Sequence, residues 1–319
     1  MIEQIISKGE SNQRVDKYVR KVLNDAPLSF IYKVFRKKDV KANGKWVDID
    51  YIVKENDIVR IYITDEQLKE FTSVKKYENF QFNHKIIYED ENILIVDKPR
   101  GLLVHGDENE KRSTLANQVI SYLISKGEYN PREDKGFVPA PAHRLDRNTS
   151  GLVVFGKNLP ALQSLLDLFQ DKQEVEKYYY ALVKGHLDKK GSINAPLLKN
   201  EQTGVVKVDK NGKTALTLYE LDKYYGLYSL ASIQIITGRT HQIRVHMAHI
   251  GHPLIGDTKY GDFKENKLFK EKYNFTDQFL HSYKLKFKEL RGNLEYLSNR
   301  TFFSQLPEIE QKILDKLKS

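Results

Sequence analysis

Strand-like apolar segments follow one another from Ile86 through most of the chain, and they set the fold class. Each segment is short and is bounded by polar or turn residues, as the strands of a folded sheet are. The segments are Ile93–Val96, Gly151–Phe155, Tyr178–Val183, Leu216–Leu221 and Tyr228–Ile236. Many strands with few alternating helices favour a mixed, largely antiparallel sheet over a doubly wound parallel one. The sequence therefore predicts an α+β fold in which helices flank a central sheet.

Two helices are predicted beside this sheet from apolar residues at helical spacing. The first lies between two of the strand segments and carries Leu159, Leu162, Leu165, Leu166 and Phe169. The second is expected to close the chain and to pack back on the domain, and it carries Leu306, Ile309, Ile313, Leu314 and Leu317.

Residues 12–63 read as a separate compact unit, and a chain of 319 residues has room for two domains. The apolar face of a first helix is formed by Val15, Tyr18, Val19 and Val22. Pro27 ends that helix, and a second follows with Ile31, Val34 and Phe35 facing inward. Asn43-Gly44 is a strong signal for a two-residue β-hairpin, and a strand over 58–63 completes a helix-helix-hairpin unit.

The compact unit is rich in basic residues, and the whole chain carries a formal charge of +9. Such a surplus attracts polyanions, although charge alone leaves a soluble basic protein equally open. The density of cations, opposed only by Asp39 in the stretch from 33 to 45, favours a surface that follows a nucleic-acid backbone. The candidate RNA-binding residues are Arg14, Lys17, Lys33, Arg36, Lys37, Lys38, Lys41 and Lys45.

The remainder of the chain divides into a polar, aperiodic linker over 64–83 and a larger domain over 84–319. The sequence has no run of apolar residues long enough for a membrane span, no signal-peptide pattern at its start and no cysteine. A disulfide framework and a zinc-thiolate site are therefore excluded, and a cytoplasmic protein is expected.

Two polar blocks lie next to apolar strands and are the candidate site. One is residues 141–151, around Asp146, and the other is residues 237–246, around Arg244. Buried charges in such positions need partners. The sequence contains no nucleophile elbow, no P-loop and no dinucleotide fingerprint. From the pattern alone, the prediction is a carboxylate–arginine site in a nucleic-acid-binding enzyme without a cofactor. No metal site is expected near His241 and His246, because Arg244 between them would oppose a bound cation.

The block His143-Arg144-Leu145-Asp146-Arg147-Asn148-Thr149-Ser150-Gly151-Leu152 resembles the signature of the RluA family of pseudouridine synthases. Four further blocks agree in order along the chain, and they are Ile87–Leu102, Lys177–Gly185, Gly238–His246 and Gly256–Gly261. Residues 14–59 are similar to the αL RNA-binding motif. The resemblance thus covers nearly the whole chain.

The resemblance implies a role for four residues. Asp146 corresponds to the family's nucleophile, which attacks C1′ or C6 of the target uridine or takes a proton from its sugar. Tyr179 corresponds to the tyrosine that packs on the base and can act in proton transfer at C5. Arg244 corresponds to the arginine that pairs with the aspartate, and Arg144 to the one that fills the gap left by the extruded nucleotide. The reaction breaks the N1–C1′ bond and joins C5 to C1′, so no cofactor is implied.

Within the family, the αL unit and residues 27–33 and 194–200 resemble the RluC-type branch, which modifies uridines of large-subunit ribosomal RNA. Alternatives are a sister enzyme that acts on other ribosomal sites or on transfer RNA, an RNA-binding ribosome-assembly factor, and a metal-dependent phosphodiesterase. A monomer is expected, since no segment signals a partner helix.

Overall fold

The computed structural model describes residues 1–72, 79–108, 110–134, 136–170 and 174–318. Its first part is a small unit with a four-stranded sheet in the order β1-β6-β3-β4 and a separate short pair, β2 and β5. The elements are β1 (Ile2–Ile5), β2 (Gln13–Arg14), α1 (Val15–Val22), α2 (Leu28–Arg36), β3 (Val40–Ala42), β4 (Lys45–Trp46), β5 (Ile52–Val53), β6 (Ile58–Ile61) and α3 (Asp65–Phe71).

This unit has its own core, in which the apolar faces of α1 and α2 meet one face of the sheet. Tyr18, Val19, Ile31, Val40 and Ile61 are all buried there. Both predicted helices and the hairpin at residues 43 and 44 are confirmed. The sheet also includes β1, which pairs with β6 and begins before the predicted start of the unit at residue 12.

The segment read from sequence as an aperiodic linker, 64–83, contains the helix α3. Thr64 caps it, because its side chain accepts from the Gln67 backbone N–H and the Gln67 side chain accepts from the Thr64 N–H. None of the α3 residues is buried. The sequence over 65–71 therefore lacks the long series of apolar residues at helical spacing that marks a buried helix face. The predicted linker thus contains one helix, and its residues 73–78 lie outside the described part of the chain.

The second part of the chain is built on one large sheet. Its strands are β7 (Lys85–Glu89), β8 (Ile93–Lys98), β9 (Ala140–Pro141), β10 (Ser150–Gly156), β11 (Val175–Lys184), β12 (Lys190–Asn194), β15 (Leu216–Tyr225), β16 (Tyr228–Ile235), β17 (Leu280–Phe287) and β18 (Thr301–Phe303), while β13 (Leu197–Lys199) and β14 (Val206–Val208) form a separate hairpin. The main path runs β12-β15-β16-β11-β17-β10-β8-β7, with β9 beside β10 and β18 beside β17. Only the β10–β17 pair is parallel among the described ladders of this sheet, so the predicted mixed, largely antiparallel sheet is confirmed.

Helices cover this sheet on both faces. They are α4 (Leu115–Ser125), α5 (Leu159–Gln170), α6 (Gln242–His249), α7 (Phe263–Tyr273) and α8 (Glu308–Leu317). Val153 of β10 packs with α4 and α6, while its neighbour Val154 packs with α5 on the other face. Burial on both faces explains why these strands read as continuous apolar runs.

The predicted closing helix, α8, is confirmed, and Ile313 and Leu314 pack with α7 against β11 and β16. Among the described residues, no helix combines the length and apolar character needed to cross a bilayer.

The two parts of the chain meet around Gly136. Its backbone N–H donates to Glu10 Oε1 at 2.5 Å, and its carbonyl accepts from Lys21 Nζ at 2.7 Å. A side chain at this position would clash, because an added Cβ would lie 2.5 Å from the Tyr18 ring. Lys21 of α1 therefore helps to join the small unit to the large one.

Candidate active site

Asp146 lies in the loop between β9 and β10, where its backbone carbonyl accepts from the Thr149 N–H at 3.1 Å. The strand that follows begins in an unusual conformation. Gly151 has a φ of 109°, and an added Cβ would lie 2.2 Å from the carbonyl oxygen of Ser282 on β17. Only glycine fits this close crossing of the parallel pair, so the crossing fixes where the Asp146 loop leaves the sheet.

A buried lysine is hydrogen-bonded to the backbone of the same loop. Lys98, at the end of β8, is fully buried, and its Nζ donates to the carbonyls of Pro99, Leu102 and Arg147 at 2.9, 2.7 and 2.9 Å. Burial lowers the pKa of Lys98 to about 7, against the opposing effect of the Asp146 charge. Since Arg147 follows Asp146 directly, Lys98 holds the backbone of the candidate nucleophile in place.

Arg244 lies on α6 and connects two carboxylates. Its Nη1 is 3.2 Å from Asp146 Oδ2, while its Nε and Nη2 are 2.7 and 2.9 Å from the two oxygens of Asp257. Burial acts to lower the pKa of Arg244, but the hydrogen bonds and charge of Asp257, with that of Asp146, raise it above its ordinary value. The guanidinium is therefore permanently charged and held by a two-donor fork that a lysine could not reproduce.

Helix α6 is itself held against the sheet by buried polar side chains. Gln242 Nε2 donates to the Leu216 carbonyl and to Thr217 Oγ1, both at 3.0 Å. His246 lies 2.9 Å from Thr217 Oγ1 and 2.9 Å from the Ala195 carbonyl through its two ring nitrogens. These bonds satisfy polar groups that would otherwise be costly to bury, and they fix the helix that carries Arg244.

His241 precedes α6 in a left-handed backbone conformation, with a φ of 53°. Its Nδ1 is 2.8 Å from Tyr260 Oη, and its Nε2 is 3.9 Å from Asp146 Oδ2. Burial lowers the pKa of His241, against the opposing charge of Asp146. The Tyr260 hydroxyl also accepts from the Val206 N–H of β14, so this loop, the hairpin and Asp257 form one connected region.

Tyr179 lies on β11, next to a register irregularity at which Tyr178 pairs with Lys284 but Tyr179 pairs with Ser282. Such a bulge redirects a side chain beside a site. Tyr179 is 5% exposed, and burial raises its pKa, with the Asp146 charge acting in the same direction. The phenol therefore stays protonated at neutral pH.

Asp146, Tyr179, Arg244 and Arg144 line one cavity of about 340 Å³. That size falls in the range of small-molecule sites. Tyr179 and Arg244 are buried, Asp146 is half-buried, and Arg144 is exposed. The structure thus brings together the four residues that the sequence placed in two distant blocks and a strand.

The candidate RNA-binding residues of the small unit lie apart from this cavity, on the exposed side of its helices and sheet. Lys17, Lys33, Arg36, Lys37, Lys38 and Lys45 are exposed, Lys41 is half-buried, and Arg14 forms an ion pair with Asp16 at 3.0 Å. None of the eight belongs to the residues that line the cavity.

Two residues of the site were missed from the sequence. The sequence placed Asp257 only within the block Gly256–Gly261. Since a buried arginine needs a carboxylate partner, Asp257 could have been proposed as the partner of Arg244. Lys98 gave no such signal, because all its partners are backbone carbonyls and one of them, that of Arg147, lies far along the chain. Within the described ranges, no three His, Cys, Asp or Glu side chains converge as metal ligands.

The cavity holds a carboxylate paired with an arginine beside a buried aromatic ring, an arrangement that suits an enzyme. A model of the RNA pseudouridylate synthase family matches residues 92–249. Ribosomal large subunit pseudouridine synthase C of Vibrio cholerae serotype O1 is 36% identical over 287 residues, which cover 88% of this chain and 87% of that protein.

Further relatives extend the agreement. The protein of the same name from Escherichia coli K12 is 35% identical over 289 residues, 88% of this chain and 87% of that protein. An uncharacterized RNA pseudouridine synthase of Mycoplasma capricolum is 34% identical over 312 residues, 94% of this chain and 96% of that protein. The solved structure of human RNA pseudouridylate synthase domain containing 4 shares the fold, with a TM-score of 0.58 at 23% identity over 73% of this chain and 92% of that one.

The chain therefore belongs to the RNA pseudouridylate synthase family. It is an RNA pseudouridine synthase, an isomerase, and the resemblance to the RluA family found in the sequence is confirmed.

Proposed function

We propose that this enzyme converts specific uridines of large-subunit ribosomal RNA to pseudouridine, with Asp146 as the nucleophile. The observation that carries the assignment of Asp146 is its 3.2 Å contact with Arg244 inside the cavity that also holds Tyr179. The substrate rests on relatives named ribosomal large subunit pseudouridine synthase C, which align over 87% of their length.

In this proposal, each cavity residue has a distinct task. Arg244 holds the Asp146 carboxylate in place through the 3.2 Å contact between its Nη1 and Asp146 Oδ2. Tyr179, protonated and buried, packs on the flipped uracil and can donate its hydroxyl proton but is a poor base. Arg144, exposed at the cavity, takes the place of the extruded nucleotide in the RNA.

The small N-terminal unit is proposed as an RNA-binding domain over 12–63, extended to Ile2 by β1, with 64–83 as the connection to the catalytic domain over 84–319. The exposed cations of α2 and of the turn after it support this role, since within the described ranges Lys33, Arg36 and Lys37 form no ion pair with a carboxylate. We also propose that the enzyme acts as a monomer in the cytoplasm, where ribosomal RNA is the substrate.

The test is pseudouridine mapping across total RNA, in strains that carry either the wild-type protein or Asp146→Asn. Loss of pseudouridine at a few large-subunit uridines is expected in the variant. Loss confined to transfer RNA would overturn the substrate, and retained modification by purified Asp146→Asn would overturn the nucleophile. Ribosome assembly is measured in the same strains and in one that lacks the protein. If loss of the protein impairs assembly and Asp146→Asn restores it, the protein has an assembly role separate from modification.

RNA binding by the N-terminal unit is tested with the triple variant Lys33→Gln, Arg36→Gln, Lys37→Gln in the full chain. Each lost phosphate contact reduces the slope of log Kd against log salt by roughly 0.7 to 0.9. A matched triple variant of exposed lysines elsewhere, Lys190→Gln, Lys267→Gln, Lys312→Gln, is expected to leave the slope unchanged. Equal slopes in both variants would refute the role of α2.

A further inference from the structure

The outer face of the N-terminal sheet carries aromatic and basic side chains together. The strand register places Lys41 opposite both Trp46 and Arg60, so these three side chains form one row across β4, β3 and β6. Their neighbours Val40 and Ile61 point the other way into the core beneath α1 and α2. The row therefore faces away from the packed side of the unit.

Two aromatic rings on this face are exposed. Trp46 is 50% exposed and Tyr62 is 39% exposed, and neither belongs to the core of the unit. Single exposed apolar residues are ordinary on a protein surface. Here, however, each of the two rings has a lysine over it, which sets this face apart from a scattered pattern.

Each ring is accompanied by a lysine. Lys38 Nζ lies 4.5 Å from the centre of the Trp46 ring, and Lys41 Nζ lies 4.9 Å from the centre of the Tyr62 ring. Lys38 has a left-handed backbone, with a φ of 59°, in the turn between α2 and β3. Each lysine restrains its ring through this cation–π contact, and Trp46, at 50%, and Tyr62, at 39%, keep exposed surface for a planar partner.

The positive charge of this face favours an anionic partner. Lys38 and Lys41 are positive, and the only carboxylate recorded in a contact with this row in the described chain is Glu3, which pairs with Arg60 at its far end at 2.5 Å. A partner that is anionic and also offers a planar apolar group satisfies both features. An unpaired nucleotide does so, because its base stacks on an aromatic ring and its phosphate meets the lysines.

We propose that Trp46 and Tyr62, with Lys38 and Lys41, form a stacking platform for unpaired nucleotides of the RNA substrate. A duplex does not satisfy the platform, since its bases are already stacked within the helix. The inference rests on the proposed function, because it requires RNA at the N-terminal unit. The platform would let the N-terminal unit select single-stranded RNA near the target uridine, in addition to binding the phosphate backbone of the RNA.

The chain contains one tryptophan, so fluorescence excited at the red edge of the absorption band, where its 19 tyrosines do not absorb, reports on Trp46. Titration with decauridylate is expected to quench this fluorescence in a saturable manner, because stacked bases quench indole emission. A blunt RNA duplex of equal length is expected to leave it nearly unchanged at the same nucleotide concentration. Equal quenching by both RNAs, or none by decauridylate, would overturn the platform.

Affinity for labelled decauridylate is measured in parallel. Trp46→Ala and Tyr62→Ala are each expected to weaken binding by about 5- to 100-fold, and Trp46→Phe, which keeps a ring, by less. The matched control is Phe263→Ala, which removes an aromatic ring that is 82% exposed on α7 in the other domain and is expected to leave the affinity unchanged. Thermal unfolding of each variant checks that the unit is folded.

The outcomes separate this inference from the proposed function. If Trp46→Ala binds decauridylate as the wild type does while Asp146→Asn still abolishes modification of ribosomal RNA, the platform is wrong and the function stands. If Trp46→Ala weakens binding but mapping shows transfer RNA as the target, the platform stands and the substrate is wrong.

Discussion

Asp257 holds Arg244 through both of its carboxylate oxygens, at 2.7 and 2.9 Å, and leaves Nη1 of the guanidinium directed at Asp146. Asp257 is almost fully buried, and although burial acts to raise its pKa, the hydrogen bonds and charge of Arg244 lower it below the ordinary value. Asp257 thus positions Arg244 from outside the cavity, and Arg244 contacts Asp146 inside it.

The variant Asp257→Asn is expected to lower kcat by about 100-fold, since a misplacement of about 1 Å in a catalytic constellation costs that much. The Kd for RNA is expected to stay within about twofold, because Asp257 does not line the cavity. Single-turnover kinetics and binding assays separate the two quantities.

A matched control is Asp262→Asn, a nearby carboxylate that caps α7 and pairs with Lys184. It removes the same charge without touching Arg244, so its kcat should resemble that of the wild type. If Asp257→Asn retained wild-type kcat, the positioning role of Asp257 would be wrong.

The variant Arg244→Lys keeps the charge but loses the planar fork, so it cannot contact Asp257 through two donors and Asp146 through a third. We expect kcat to fall by at least about 100-fold, because the lysine can satisfy only one carboxylate well. The fall should exceed that of Asp257→Asn, in which Nη1 remains. A smaller loss in Arg244→Lys than in Asp257→Asn would show that charge, and not geometry, is what Asp146 requires.

The fold class could be predicted because buried strands leave a local signal. Leu152–Phe155 of β10 are buried on alternate faces and appear as an uninterrupted apolar run. The sheet order could not be predicted, since pairing of β10 with β17 joins Ser150 to His281 across most of the catalytic domain. No local pattern encodes such a partner.

Helix α6 shows why part of the site was hidden. Its residues from Gln242 to Met247 are all buried, polar and apolar alike, so no apolar stripe stands apart from a polar face as in an ordinary surface helix. The block was recognised as functional from its residue types and from the family resemblance, but its position against the sheet depends on Thr217 and on the Ala195 carbonyl. Those partners lie on other elements and were invisible in the local sequence.

The variant Lys98→Met is expected to remove the support of the Asp146 loop. Three partly buried carbonyls would lose their donor, and water can reach part of them. We therefore expect a fall of about 1 to 3 kcal/mol in the free energy of unfolding, together with a lower kcat. Urea denaturation and single-turnover kinetics measure the two effects.

Lys85→Met, on the exposed start of the neighbouring strand β7, is the matched control and should leave both quantities unchanged. Wild-type stability in Lys98→Met would mean that water replaces the ammonium group, and the role of Lys98 would then be refuted.

His281 predicts how stability depends on pH. It is fully buried on β17, with Nδ1 2.9 Å from Ser150 Oγ and Nε2 3.3 Å from the Ser304 carbonyl. Because a carbonyl can only accept, Nε2 carries the proton of a neutral ring. Burial lowers the pKa of His281 from 6.5 to about 4, and the nearby charge of Arg100 adds to the effect.

The unfolded chain therefore takes up a proton at His281 as the pH falls below about 6.5, while the folded chain resists until about pH 4. Its contribution is complete above pH 6.5 and is lost progressively between those values. At pH 5 the loss should be about 2 kcal/mol relative to pH 7, from about 1.4 kcal/mol for each pH unit below 6.5. Urea denaturation at pH 7 and pH 5 measures it.

His281→Asn removes this titration, so its loss of stability between pH 7 and pH 5 should be smaller than that of the wild type by about 2 kcal/mol, whatever its stability at pH 7. Other groups titrate in both proteins and cancel in the difference. His249→Asn, which changes an exposed histidine at the end of α6, should keep the wild-type pH dependence. If His281→Asn and His249→Asn gave the same pH dependence, protonation of His281 would not be coupled to folding.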